Sequence, residues 1–281
     1  MNRLKKVVVG MLSIGLLAGC SGGGAATDAT DTSADKKADG VTVYFTRHGK
    51  TMLNTTGKSQ GWSDAPLTPA GIEVAEDVGT GIGKSITFDK VYSSDSGRAI
   101  ETAEIILDKS GQKSKINKDK RLREFNFGTF EATPGAESVE AIAKRKELTA
   151  DEYTEKAAKE GGGYNGFIKE LSDDLAEIDK ENVKENENWP AENYAAVAKR
   201  SKEALDDIVD EASENGDDSI LVVSHGMTLA TLLNELDSSV SADIPMSGLE
   251  NASISKATYK DGKWKVETVN DMSYAEKGAE K

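Results

Sequence analysis

Only two histidines occur in this chain, and each one ends a run of β-branched, aliphatic and aromatic residues. The first run, VTVYFTRHG, closes on Arg47 and His48; the second, SILVVSHG, closes on His225. Such runs read as buried strands that deliver polar side chains to their carboxyl ends. In open α/β sheets ligands bind in the crevice outside those ends, so residues leaving parallel strands there converge on one site. A third junction, KVYSSDSGR, supplies Arg98 in the same way. Two histidines and two arginines around one point make a site for an anion such as phosphate.

The fold class expected is α/β, a mostly parallel central sheet flanked by helices, with a helical insertion. A polar loop follows the first strand over residues 49–66. Thr68 as N-cap and Pro69 at the first helical position open a helix that GTGIGKS ends near Gly79. A strand over 88–92 leads to a helix over about 97–107, with Ile100, Ala103, Ile106 and Leu107 toward the sheet. Residues 113–130 hold a short edge strand and the turn LREFNFG. From 131 to about 190 the composition shifts to Lys, Glu, Asp and Ala. Helices near 136–148, 150–160 and 165–180 are expected there as an insertion with mostly solvated faces, a lid being the other reading. A long amphipathic helix to about 212, the SILVV strand, a helix over 227–236 and a hairpin over 252–259 and 263–269 complete the chain.

The 281 residues suffice for one large domain or two small ones, and the mean hydropathy of -0.50 indicates a polar surface. A formal charge of -14 excludes non-specific nucleic-acid binding, which needs a basic face. Residues 1–19 are a basic segment and an apolar run too short to span a membrane, the pattern of a signal peptide. The run closes on Leu-Ala-Gly-Cys, which resembles a bacterial lipobox and implies diacylglycerol on Cys20. Two acyl chains anchor stably where one is marginal. Residues 20–40, rich in Gly, Ser, Thr and Asp, read as a flexible tether. The expected location is therefore the extracytoplasmic face of the cell membrane, lipid-anchored, with residues 41–281 as the folded part. Cys20 is the single cysteine, so no internal disulfide is expected.

RHG, SSDSGRAIETA, LREFNFGTFE and VVSHG, in that order, resemble the histidine phosphatase superfamily in its phosphoglycerate mutase-like branch. The resemblance runs from about Val41 to Asp271. It implies that His48 attacks phosphorus and becomes phosphorylated, and that Arg47 and Arg98 bind the phosphate. His225 stabilises charge on the transferring group. Glu124 is implied as the general acid; the superfamily's other branch has aspartate after the second histidine, where this chain has Gly226. Leu122, Phe125 and Phe127 around Glu124 are expected to raise its pKa. Asn54 and Gln60 match polar positions that hydrogen-bond phosphate or substrate. Arg98 has a bland alternative, a helix-start pair with Glu101 or Glu104. Departures are Lys50 for the usual Glu or Gln, and Phe130 and Ala132 in the common Trp-Glu-Gly.

With both histidines assigned to phosphoryl transfer, neither a metal nor a cofactor is expected. The implied activity is hydrolysis of a small-molecule phosphomonoester; phosphoglycerate mutase-type transfer and a non-catalytic ligand-binding lipoprotein are the alternatives. The sequence assigns no oligomeric state and no substrate. Cys20→Ala is expected to abolish lipidation and processing at that residue; membrane association and processed mass unchanged from wild type would refute the anchor.

Overall fold

The computed structural model describes residues 40–280 apart from Lys84, Glu185 and Asn186. The signal peptide, the tether to residue 39 and Cys20 lie outside the described residues. Six strands form one sheet: β1 (Val41–Arg47), β2 (Lys90–Ser93), β3 (Ile116–Lys118), β4 (Ser219–Ser224), β5 (Ile254–Lys260) and β6 (Lys263–Asp271). Their order is β3-β2-β4-β1-β5-β6. The first four are mutually parallel where they pair, whereas β5 and β6 run antiparallel. This is the α/β sheet that the apolar runs imply.

Period-two alternation sorts the strand residues between two faces. Val43, Phe45, Ile220 and Val222 pack on one side, under α7 (Tyr194–Asn215) and α8 (Gly226–Leu236). Tyr44, Leu221 and Val223 pack on the other, under α2 (Pro69–Gly83), α3 (Gly97–Lys109) and α9 (Ser273–Ala279). The register sets Arg47 beside Ser224 and Ser93 beside Val223, which brings the ends of β1, β4 and β2 level with one another.

Three expectations change. The loop after β1 contains a one-turn helix, α1 (Met52–Thr55), closed by a capping box between Thr51 and Asn54. The α2 helix continues past Gly79 to Gly83, because its glycines let neighbours approach rather than stop the helix. A Cβ at Gly79 would come 2.7 Å from the Ile106 carbonyl, and one at Gly81 2.0 Å from that of Tyr274. The α9 helix, absent from the sequence reading, packs there; only Ala275 and Gly278 of its residues are buried, so its periodic signal is weak.

The insertion comprises α4 (Gly135–Arg145), α5 (Ala150–Gly161) and α6 (Tyr164–Asn182). Its outer faces are charged, as expected, but it also has a core of Ile142, Ala143, Tyr153, Leu171, Leu175 and Ile178, joined by Phe127 and Ala191. The fully buried Asp179 ties this bundle to the LREFNFG turn. Its carboxylate accepts from the Thr129 N–H at 3.1 Å, the Thr129 hydroxyl at 2.6 Å and the Ala191 N–H at 2.9 Å. Gly128 has φ 57°, and a Cβ there would lie 1.6 Å from Asp179 Oδ2, so only glycine fits. Asp179→Ala strands three donors and is expected to cost about 3 kcal/mol. Chemical denaturation measures it; a loss below about 1 kcal/mol would show that the carboxylate is not the tie.

Candidate active site

His48 follows β1, and its N–H donates to the Ser224 carbonyl at 3.0 Å, extending the ladder by one residue. Its Nδ1 lies 2.8 Å from the Gly49 carbonyl, which can only accept. Nδ1 therefore carries the proton and Nε2 presents a lone pair. His225 N-caps α8, with its ring centroid 5.2 Å from that of His48 at an interplanar angle of 61°. Both rings are buried, at 3% and 0% exposure. Burial, then the charges of Arg98 and Arg47, hold the His48 imidazole well below its ordinary value. Burial, Arg98 and His48 do the same for His225. Both are neutral at neutral pH, which a nucleophilic imidazole requires.

The arginines are held by backbone carbonyls. An Arg98 Nη1 donates to the Ser63 carbonyl at 2.9 Å and to Asp64 Oδ1 at 3.0 Å, and Nη2 to the Gly61 carbonyl at 2.8 Å. Its ion-pair partner is thus Asp64; Glu101 instead accepts from the Leu67 N–H at 3.2 Å. Arg47 Nη1 donates to the Leu249 carbonyl. A Cβ on Gly226 would come 3.2 Å from Arg47 Nε, so a larger residue there would push that guanidinium by a few tenths of an ångström.

Arg47 Nε, Arg98 Nε, His225 Nδ1 and Gln60 Nε2 are buried without a protein partner. An unsatisfied buried polar atom costs roughly 1–3 kcal/mol, so a group of them marks a place where a ligand supplies the oxygens. Gln60 Oε1 accepts from the Thr51 hydroxyl at 2.6 Å, which leaves its amide nitrogen in this set. Asn54 spends its Oδ1 on the Thr51 N–H at 3.2 Å, in the α1 cap.

Glu124 is buried, and Leu122 and Phe125 beside it enter the core. The carboxyl group itself, however, faces donors rather than apolar groups. It accepts from the N–H groups of Met227 at 3.0 Å, Thr228 at 2.9 Å and Phe125 at 3.1 Å, and from the Thr228 hydroxyl at 2.9 Å. It thereby caps the amino terminus of α8, directly after His225.

Sequence reading missed the residues that hold these groups in place. Glu131 accepts from the N–H groups of Gly61, Trp62, Ser63 and Phe127 and from the Ser63 hydroxyl, so it shapes the loop that grips Arg98. It is the glutamate of the departed Trp-Glu-Gly, the one signal that could have found it. Ala132 after it adopts φ 60°, a left-handed conformation that suits the glycine of that pattern better. Arg200 donates to the carbonyls of Arg121, Arg123 and Glu124 and pairs with Glu192, fixing the Glu124 backbone from α7. Glu192 also accepts from the Asn126 N–H at 3.1 Å, so its role is structural. Lys50 is exposed.

Residues 43–186 and 161–272 match the family model of the histidine phosphatase superfamily (branch 1). The crystal structure of phosphoglycerate mutase from Bacillus anthracis str. Sterne is 41% identical, with TM-score 0.76, covering 88% of this chain and 100% of that one. Bacillus stearothermophilus YhfR is 26% identical, with TM-score 0.62 over 84% of this chain and 99% of its own. A probable phosphoglycerate mutase, GpmB of Erwinia tasmaniensis, is 31% identical over 239 residues, 83% of this chain and 94% of its own length.

Two imidazoles buried neutral make the folded chain bind fewer protons than the unfolded one. Their contribution to stability is complete above the unfolded value of 6.5 and is lost as pH falls below it. The slope reaches about 1.4 kcal/mol per pH unit for each histidine. His48→Gln and His225→Gln are each expected to flatten the decline in urea midpoint between pH 7 and pH 5; a slope unchanged in both would contradict neutral burial.

Proposed function

The chain belongs to the histidine phosphatase superfamily (branch 1) and is an enzyme of that class, and we propose that it hydrolyses phosphomonoesters without a metal, through a phosphohistidine on His48. The observation that carries this reading is the group of four buried nitrogens without partners beside a neutral His48. Arg47, Arg98, Gln60 and His225 bind the phosphoryl oxygens, and His48 Nε2 attacks phosphorus. Glu124 gives the leaving oxygen a proton, then takes one from the water that cleaves the phosphohistidine. The Cys20 lipobox and the tether support an anchored protein on the extracytoplasmic face, acting on small phosphorylated molecules that reach it there.

Two of the relatives are named as phosphoglycerate mutases, one of them as probable, which favours a second reading, phosphoglycerate mutase-type transfer. A mutase must also hold the rest of a doubly charged substrate. In the insertion, Arg145, Lys146, Lys169 and Lys180 are paired with acids of the same bundle, so these four are not spare charges for a second anionic group. Incubation with 3-phosphoglycerate separates the two: release of inorganic phosphate supports the first, isomerisation without release the second.

Leaving-group dependence tests the mechanism. Phosphate release should persist in EDTA, and Glu124→Gln should slow an alkyl phosphate by roughly 10²- to 10⁴-fold. Phosphorylation by p-nitrophenyl phosphate, whose leaving group hardly needs a proton, should suffer much less. Loss with EDTA that metal restores would sink the reading, and equal losses on both substrates would move the acid role elsewhere. The amide places a donor against the Met227 and Thr228 donors, so the variant's denaturation midpoint is measured alongside.

A further inference from the structure

Ser94 follows β2 and is fully buried, with its N–H bonded to the Val223 carbonyl at 2.9 Å. Its Oγ lies 2.8 Å from His225 Nε2 and 3.1 Å from Ser96 Oγ, and the Ser96 N–H donates to it at 3.3 Å. A hydroxyl has one proton and two lone pairs. Ser96 N–H takes one lone pair, so the single proton goes either outward to the half-buried Ser96 or inward to His225. Outward, His225 carries its proton on Nε2, and Nδ1 turns a bare lone pair toward the anion that Arg47 and Arg98 collect. Inward, Nε2 accepts from Ser94, and Nδ1–H becomes a further donor to that anion.

We propose that Ser94 is a positioning residue that fixes His225 as the Nδ1-protonated tautomer, so that a neutral imidazole donates to the phosphoryl group. The unpartnered, buried Nδ1 is the atom this assigns to the ligand. Burial pushes the His225 imidazole well below its ordinary value, so a second proton does not remove the choice between tautomers. The parallel register of β2 and β4 brings the two residues near each other: Ser93 pairs with Val223, so Ser94 lies level with Ser224, one residue before His225. The catalytic consequence rests on the phosphatase reading above, whereas the tautomer itself does not.

With two histidines in the chain, the ring nitrogens are directly resolvable. The full-length protein, purified without a polyhistidine tag and labelled with 15N, is observed at pH 7.5 by long-range proton–nitrogen correlation. Both rings should be neutral and protonated at Nδ1: His48 through the Gly49 carbonyl, His225 through Ser94. Ser94→Ala should move only His225 toward the Nε2-protonated form, with His48 as the internal control for an intact site. Deleting a transition-state donor costs roughly 10²–10³ in kcat; mispositioning this one should cost about 10- to 100-fold, with KM changed less than about threefold. Ser94→Thr restores the hydroxyl and should restore both tautomer and turnover. A wild-type His225 protonated at Nε2 would overturn the proposal by itself, even if Ser94→Ala did not fold. Tautomer and kcat unchanged in a folded Ser94→Ala would overturn it too. Absence of phosphate release from any substrate would instead refute the phosphatase reading and leave the tautomer result standing.

Discussion

Two guanidinium groups, that of Arg98 buried and that of Arg47 half-buried, meet beside the carboxyl ends of the sheet, and the Nε of each lacks an acceptor in the protein. Much of the molecule beside them answers that cost. The loop at residues 60–64 turns its carbonyls and Asp64 onto Arg98, and Glu131 holds that loop by its N–H groups. Leu249 supplies a carbonyl to Arg47. What stays unsatisfied is Nε of each arginine, together with the Gln60 amide nitrogen and His225 Nδ1. Burial first, then the charges of Arg98 and Arg47, holds His48 neutral, so the arginines that draw an anion to the pocket also help to keep the His48 imidazole uncharged.

The insertion and the long α7 helix act on the site through the LREFNFG turn. Asp179 pins the turn from one side and Arg200 with Glu192 from the other, and between them Glu124 is presented to the start of α8. The Glu124 carboxyl is thus placed by three elements distant in sequence. In a body of net charge -14, such tight internal pairing keeps acids and bases in assigned positions.

The strand-end residues were legible because each stands at the break of an apolar run: Arg47, His48 and His225 needed no tertiary information, whereas Arg98 comes five residues after β2, in the first turn of α3. The sheet class followed from the same runs. The partners that hold these residues were not legible. Glu131 and the loop it shapes are about seventy residues apart, and Arg200 and Glu124 farther still, so no local pattern couples them. The end of α2 was misread because glycine marks helix ends and close helix contacts alike, and only the positions of Ile106 and Tyr274 tell them apart. Glu124 shows the limit most clearly. Its apolar sequence neighbours suggested an apolar setting, but the donors that face it come from α8, more than a hundred residues away.

The central claim is that His48 Nε2 carries the phosphoryl group. Rapid chemical quench of the enzyme turning over an aryl phosphate, followed by peptide mapping under alkaline conditions, tests it directly. The account predicts an acid-labile phosphate on His48 Nε2, formed at least as fast as turnover and absent from His48→Asn, which should be inactive. Continued turnover by His48→Asn, or turnover with no adduct at His48 even in Glu124→Gln, where dephosphorylation is slowed, would contradict it.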